Sequence, residues 1–318
     1  MKTRDLSVAQ LVAKPGEKKN SLLDIPLQNF KYSIPVFAIN GVNEGPTLVV
    51  TAGVHAAEYA SIQAALDLGR SLKPEEVQGQ VIVVPVVNTP GFGVRSIYQC
   101  PLDGKNLNRV FPGKSDGSAS EQIAHWLFQN IISQADYYID LHGGDLIEAL
   151  IPFSIVFMSG NEKIDAVSKE MAEVFGIKNI VRSETKGSVY SAAALAGIPS
   201  ILSEAGGQGI WLPKDIKVHS LGLKRIMRHF GLLRGPKPRI VQTHLLNQFI
   251  WLRSEHEGYW YPEVPVGEKV IKGQLLGCIK DTWGDILQTI NAPANGEVLF
   301  LVSSLAINNG DPLLSIGV

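Results

Sequence analysis

The sequence has almost no cysteine: two among 318 residues, Cys100 and Cys278, far apart and in dissimilar surroundings. A disulfide framework is therefore not indicated, and no cysteine pair has metal-ligand spacing. Charge of one sign is also missing, with 29 basic residues against 30 acidic. No phosphate-neutralising basic face is implied, so no nucleic-acid partner is expected. No uninterrupted apolar run approaches the roughly 20 residues that a membrane span needs. The N-terminal stretch MKTRDLSVAQLVAKPGEKK lacks the apolar segment of a secretory signal. These absences point to a cytoplasmic protein with no membrane partner. Internal repeats and low-complexity segments are absent too. What is present is ordinary, 45% hydrophobic and 19% charged, which suits a globular chain that buries a proper core. The length fits one large domain with a smaller one, or a single large α/β unit.

From Phe30 to about Leu233 short β-branched runs alternate with helical stretches. The pattern predicts strands over Thr47–Gly53, Gln80–Asn88, Tyr137–Leu141, Phe153–Gly160 and Ile198–Leu202. It predicts helices over Glu58–Leu72, Ser120–Ile132 with Ser120 as N-cap, and Glu162–Gly176 ending on glycine. Such alternation argues for an α/β fold, a largely parallel sheet with helices on both faces. There, polar loops at the carboxyl ends of strands are the expected place for chemistry. After Arg234–Arg239 the texture changes to short strands punctuated by Gly/Pro/Asn turns, which predicts a small all-β part from about residue 240.

Two fragments fall at such strand ends. Gly53-Val54-His55-Ala56-Ala57-Glu58 lies where the first strong strand gives way to its helix. A His and a Glu three residues apart at a helix start share a face and can reach one ion. His142 follows the strand Tyr137–Leu141 and precedes two glycines. Zinc in hydrolases commonly takes three N/O ligands of this kind and keeps a fourth position for water. Taken singly, a His-x-x-Glu also describes a solvated helix pair, and a histidine after a strand also describes a simple hydrogen bond. His125, His219, His229, His244 and His256 lack such placement and read as surface or packed residues.

Other residues supply the chemistry a hydrolytic site needs. In Asn106-Leu107-Asn108-Arg109 a guanidinium beside a side-chain amide offers planar donors suited to a carboxylate, or to pairing with a loop aspartate. Arg95, in the same loop region, either polarises a carbonyl or lies on the surface. Glu204 ends an apolar strand and is followed by Ala205-Gly206-Gly207. A buried carboxylate there must be paired, metal-linked or catalytic, because an isolated buried charge is too costly. Beside a metal its natural role is general base.

Together GVHAAE, NLNRVFPG, DLHGG and SEAGG, in this order over residues 45–210, resemble the succinylglutamate desuccinylase/aspartoacylase family, relatives of the zinc carboxypeptidases. The resemblance implies a three-layer zinc carboxypeptidase-like domain over residues 1–236, with a central mixed, mostly parallel sheet. It implies one zinc per chain, held by His55, Glu58 and His142. It assigns Asn108 and Arg109 to a substrate carboxylate, Arg95 to the carbonyl and Glu204 to the general base. One position departs: the family usually reads Asp-x-Asn-Arg where this chain has Asn106, which accepts the same hydrogen bond without bringing charge. Residues 237–318 are similar to lipoyl/biotinyl carrier domains. The hairpin tip that carries their modified lysine reads Asp281-Thr282-Trp283-Gly284-Asp285 here, and Lys280 falls about three residues early, so a β-rich accessory domain is the simpler reading. The expected activity is hydrolysis of an N-acyl amino acid or similar small carboxylate-bearing amide, with homo-oligomerisation by family analogy. The alternatives are a metallocarboxypeptidase acting on short peptides and a non-catalytic binding or carrier protein.

Overall fold

The β-branched runs of the first two thirds, joined by one short strand from beyond residue 240, assemble into one nine-stranded sheet. The computed structural model, which describes residues 4–27 and 30–318, starts with the hairpin β1 (Leu6–Val8) and β2 (Leu11–Ala13). There follow β3 (Lys18–Pro26), β4 (Lys31–Asn40), β5 (Asn43–Ala52), α1 (Tyr59–Ser71), β6 (Gln78–Val84), α2 (Thr89–Val94), α3 (Ala119–Asn130) and β7 (Tyr137–His142). The chain continues through β8 (Glu148–Leu150), β9 (Phe153–Phe157), α4 (Glu162–Phe175), β10 (Asn179–Ser183), α5 (Val189–Leu195), β11 (Ser200–Glu204) and α6 (Pro213–His229). The rest is strand: β12 (His244–Leu246), β13 (Phe249–Arg253), β14 (Gly258–Pro262), β15 (Lys269–Val270), β16 (Leu275–Lys280), β17 (Ile286–Asn291), β18 (Gly296–Val302), β19 (Ala306–Ile307) and β20 (Pro312–Gly317).

The large sheet has the order β12-β10-β9-β11-β7-β5-β6-β4-β3. Its centre, from β11 through β7 and β5 to β6, is parallel, while β9 runs against β11 and β4 and β3 form an antiparallel edge. The expected mixed, mostly parallel sheet is thus present. Its strands read as continuous apolar runs because both faces are covered. Leu48, Val50, Ile139 and Ile201 pack under α1, α4 and α6, whereas the alternate residues Val49, Tyr138 and Leu202 pack under α3 and α5.

The C-terminal strands form two antiparallel sheets, β13-β20-β18-β15 and β17-β16-β14-β19, around the fully buried Trp260. The tip between β16 and β17 presents Trp283, 89% exposed, rather than a lysine. Lys280 lies back along the hairpin, its Nζ 4.7 Å from the centre of the Tyr261 ring. The two parts exchange strands: β12 extends the large sheet beside β10, and β8 pairs with β18 of the C-terminal sheet.

One local expectation needs correcting. The N-cap of α3 is Ser118, not Ser120, because Glu121 reaches back to accept a hydrogen bond from the Ser118 N–H at 3.0 Å. Ser120 sits inside the first turn, where its hydroxyl donates to Asp103 at 2.7 Å. Among the described residues no helix is long and apolar enough to cross a membrane.

Candidate metal centre

The three central strands β11, β7 and β5 are parallel neighbours, so their carboxyl ends lie along one edge. His142 closes β7, Glu204 closes β11, and the two are partners in the strand register. Side chains at paired positions of neighbouring strands project from the same face, which sets this imidazole and this carboxylate side by side. The glycines after them allow the two turns to touch. Gly144 N donates to Gly206 O at 2.8 Å, and Ala205 N donates to His142 O at 3.2 Å. A Cβ on Gly143 would stand 2.5 Å from Ala205 O. From α6 the buried ring of His219 braces the same turn. Its Nε2–H donates to Ala205 O at 3.3 Å, so its Nδ1 accepts from the Ser203 hydroxyl at 3.0 Å. Burial lowers the His219 pKa to about 4, consistent with a neutral ring.

His55 and Glu58 come from the connection after β5, and they are not a pair on a helix face. Helix α1 begins at Tyr59 with Glu58 as its N-cap, and the Glu58 side chain makes no capping hydrogen bond. Gly53, at φ +63°, turns the chain away from the strand. The Glu58 carboxylate instead bridges two imidazoles: Oε1 is 2.7 Å from His55 Nδ1 and Oε2 is 2.8 Å from His142 Nδ1. Oε2 also accepts from the Gly143 N–H at 3.1 Å.

The outer nitrogens of both rings are committed. His55 Nε2–H donates to Asn106 Oδ1 at 3.1 Å, and His142 Nε2–H donates to Asp140 Oδ2 at 3.1 Å. With those protons outside, the two Nδ1 atoms and the Glu58 oxygens converge as acceptors, a set that could hold a cation in place of the ring protons. Three buried ligand atoms within 4.8 Å of one another meet the donor set of a divalent metal. The titration behaviour agrees. Burial works to raise the Glu58 pKa, yet His142 and His55 outweigh it and bring it to about 2. Burial likewise works to lower His142, but Glu58 and Asp140 hold it well above the ordinary imidazole value. A metal ion would displace that imidazole proton.

His55, Glu58 and His142 open on a cavity of about 520 Å³, within the range of small-molecule sites. Glu204 lines it; burial first, then the negative charge of Glu58, pushes its pKa well above the usual carboxylate range. Its Oε2 is buried without a hydrogen-bond partner among the described residues. Asn108 and Arg109 reach the same cavity from the 3₁₀ turn Leu107–Arg109. Asn108 Oδ1 accepts from Val189 N at 3.0 Å, which turns its Nδ2 toward His142 Nε2 at 3.3 Å. Arg109 is exposed on its outer side and donates to Asn108 O at 2.7 Å. Arg95 stands apart: it caps the end of α2, is exposed, and is not on the cavity lining. On the far wall Asn247, Phe249 and Trp251 come from the C-terminal part.

Three residues of the site carry no role in the motif reading, although Asp140 falls inside its DLHGG run. Asp140, fully buried, orients His142 and itself accepts from the Thr51 hydroxyl at 2.7 Å. Its signal was available, since Asp-x-His on a strand puts both side chains on one face. Tyr98 and Glu148 line the cavity and hydrogen-bond each other, with the Tyr98 hydroxyl donating to Glu148 Oε1. They lie fifty residues apart, and no local pattern links them.

The Asn106 contact yields a prediction. An uncharged acceptor makes the His55 ring a weaker donor to metal than a carboxylate would. Asn106→Asp is expected to tighten metal binding, and Asn106→Leu to loosen it by roughly 10–100-fold. Competition with a chelator of known affinity measures both; equal affinities across the three proteins would contradict this reading.

With this geometry in hand, the comparisons with known proteins agree on one group. The succinylglutamate desuccinylase/aspartoacylase catalytic domain matches residues 44–230. The N-alpha-acetyl-L-2,4-diaminobutyric acid deacetylase of Halomonas elongata is 30% identical over 277 residues, 83% of this chain and 80% of that protein. The product-bound ectoine utilization protein EutE (DoeB) from Ruegeria pomeroyi superposes with a TM-score of 0.89 at 25% identity, covering 100% of both chains. A succinylglutamate desuccinylase/aspartoacylase from Rhodobacter sphaeroides gives 0.85 at 27% identity over 95% of each chain.

Proposed function

The chain belongs to the succinylglutamate desuccinylase/aspartoacylase family, and on that premise we propose that it is a zinc-dependent deacylase hydrolysing the amide bond of an N-acyl amino acid. The observation that carries this reading is the register pairing of Glu204 with His142, which places a buried carboxylate beside a two-histidine, one-glutamate ligand set. His55, Glu58 and His142 would hold the zinc, one per chain. When bound, the metal supplies a Lewis acid for the acyl carbonyl and lowers the pKa of water.

The protein's own groups do the rest. Glu204 takes a proton from the attacking water and delivers it to the leaving nitrogen. Its burial and the neighbouring Glu58 raise its proton affinity, which suits both halves of that transfer. Arg109 and the Asn108 amide face the cavity as donors for the substrate carboxylate and fix the amide in place for attack. Arg95 would assist the carbonyl only by turning inward from its exposed position. Trp251 and Phe249, contributed by residues 237–318, limit the length of substrate the cavity takes. That wall favours a small N-acyl amino acid over a peptide, although the catalytic part over residues 1–236 is read as zinc carboxypeptidase-like. A relative named for deacetylating N-alpha-acetyl-L-2,4-diaminobutyric acid supports acetyl as the acyl group.

The test is amine release from N-acetyl, N-succinyl and other N-acyl amino acids with zinc supplied. Turnover of at least one is expected. Arg109→Ala should raise KM by roughly 10–100-fold with a smaller change in kcat, the signature of a lost carboxylate contact. Cleavage of dipeptides with no action on any N-acyl amino acid would overturn the reading in favour of a carboxypeptidase.

A further inference from the structure

The register that sets Glu204 beside His142 continues outward across the sheet. β9 runs against β11, with Phe153 paired to Glu204 and Ile155 to Leu202. β10 lies beside β9, with Val181 paired to Ile155. Paired positions project from one face, so this face carries two rows. One runs His142, Glu204, Phe153 from β7 to β9, and the other runs Leu202, Ile155, Val181 from β11 to β10. All six side chains line the cavity. Beyond Glu204, on the side away from the metal ligands, the cavity floor is therefore apolar.

The wall over this floor is apolar as well. The Phe249 ring stands 5.4 Å from that of Phe153, Trp251 stands 5.0 Å from Phe249, and Phe300 stands 5.0 Å from Trp251. Charge on the lining is placed elsewhere. Arg109, Arg182 and Glu184 are exposed to solvent. Glu148 has both oxygens engaged, one by the Tyr98 hydroxyl and the other by the Asp145 N–H.

The order of the strands matches the order of atoms in an N-acyl amino acid. The acyl carbonyl belongs at the metal ligands, and the leaving nitrogen belongs beside Glu204, which delivers its proton. The next atom along, the α-carbon, then lies toward β9 and β10. The segment that leaves β10 also clasps the turn assigned to the substrate carboxylate. Val189 N donates to Asn108 Oδ1 at 3.0 Å, and Phe111 N donates to Gly187 O at 3.0 Å. With the carboxylate held at that turn, the side chain on the same carbon has the apolar floor beneath it. A charged side chain there would lose its hydration and gain no partner, whereas each buried methylene strengthens binding about fourfold.

We infer that Phe153, Ile155, Val181 and Leu202 form the pocket for the side chain of the released amino acid, so that the preferred substrates are N-acyl derivatives of amino acids with apolar side chains. The inference rests on the deacylase reading for the orientation of the substrate, but the apolar pocket itself does not depend on turnover.

Two isosteric pairs test it on the zinc-loaded protein. N-acetylleucine is compared with N-acetylaspartate, and N-acetylnorvaline with Nα-acetyl-2,4-diaminobutyrate, so that methyl groups replace charged ones at constant shape. In each pair kcat/KM is expected to favour the apolar member by at least about 10-fold. N-acetylnorvaline should exceed N-acetylalanine by roughly 10–20-fold, as two buried methylenes provide. Val181→Thr puts a hydroxyl in place of a methyl group and should lower the leucine-to-alanine ratio several-fold, chiefly through KM for N-acetylleucine. A substitution that merely loosened the fold would lower both substrates alike and leave that ratio unchanged, which would count against the pocket. Calorimetry on the wild type, with free leucine against free aspartate, reads the same preference without hydrolysis and without any variant. Preferential binding of leucine with no turnover of any N-acyl amino acid would sink the deacylase reading and leave the pocket standing. Turnover that favours the charged member of either pair, or that follows the length of the acyl chain and ignores the side chain, would overturn the inference and leave the deacylase reading intact.

Discussion

Exchange of Glu204 for glutamine is expected to lower kcat by about 10²–10⁴-fold, the usual contribution of a positioned acid–base group, while the protein keeps its metal. The substitution is nearly isosteric and removes only the ability to carry a proton. Glu204 is not one of the three side chains grouped so that they could hold a metal, so metal content should be unchanged. It stands beside them because its strand is in register with that of His142, and its unpartnered Oε2 leaves room for an amide without breaking a hydrogen bond. Parallel determination of kcat and metal content decides the role. Loss of metal along with activity would make Glu204 a ligand, and undiminished turnover would remove it from the mechanism.

His142→Ala is expected to abolish both metal binding and turnover and also to destabilise the fold. The His142 side chain, 1% exposed, lies between two carboxylates, 2.8 Å from Glu58 Oε2 and 3.1 Å from Asp140 Oδ2. Deleting the ring leaves both buried anions facing an unfilled space. Breaking a buried ionic contact from one side costs about 3–5 kcal/mol, which urea denaturation would report as a lowered midpoint at unchanged slope. A variant that folds with wild-type stability and retains metal would show that His142 is neither a ligand nor the counter-charge described here.

Much of this site was legible in the sequence because its pieces stand at the ends of strands that announce themselves. The runs before His55, before His142 and before Glu204 are short and mostly apolar, as strands covered on both faces tend to be, interrupted by few polar residues such as Asp140 and Ser203. A parallel sheet then brings those ends to one edge. What escaped the sequence was geometry fixed by tertiary contact. His55 and Glu58 suggest a shared helix face by spacing, yet the helix starts one residue after Glu58, and the pair is set by a loop and by His142 reaching in from the next strand. Glu148 lies in a strand of three residues, too short for any periodicity, and it is part of the site only because β8 leaves the large sheet's neighbourhood to pair with β18. The three-residue β12 escaped for the same reason: nothing local says that the chain returns to the large sheet after the Arg234–Arg239 linker. Ser120 and Ser118 are both plausible caps by type, and the choice falls to Glu121, three residues after Ser118.

The most direct test of the account is a zinc titration of protein first stripped by a chelator, followed by release of amine from an N-acetyl amino acid. The account predicts no turnover without metal, a linear rise with added zinc, and saturation at one zinc per chain, with His142→Ala inactive throughout. Turnover that survives complete metal removal, or that never follows the zinc added, would contradict it.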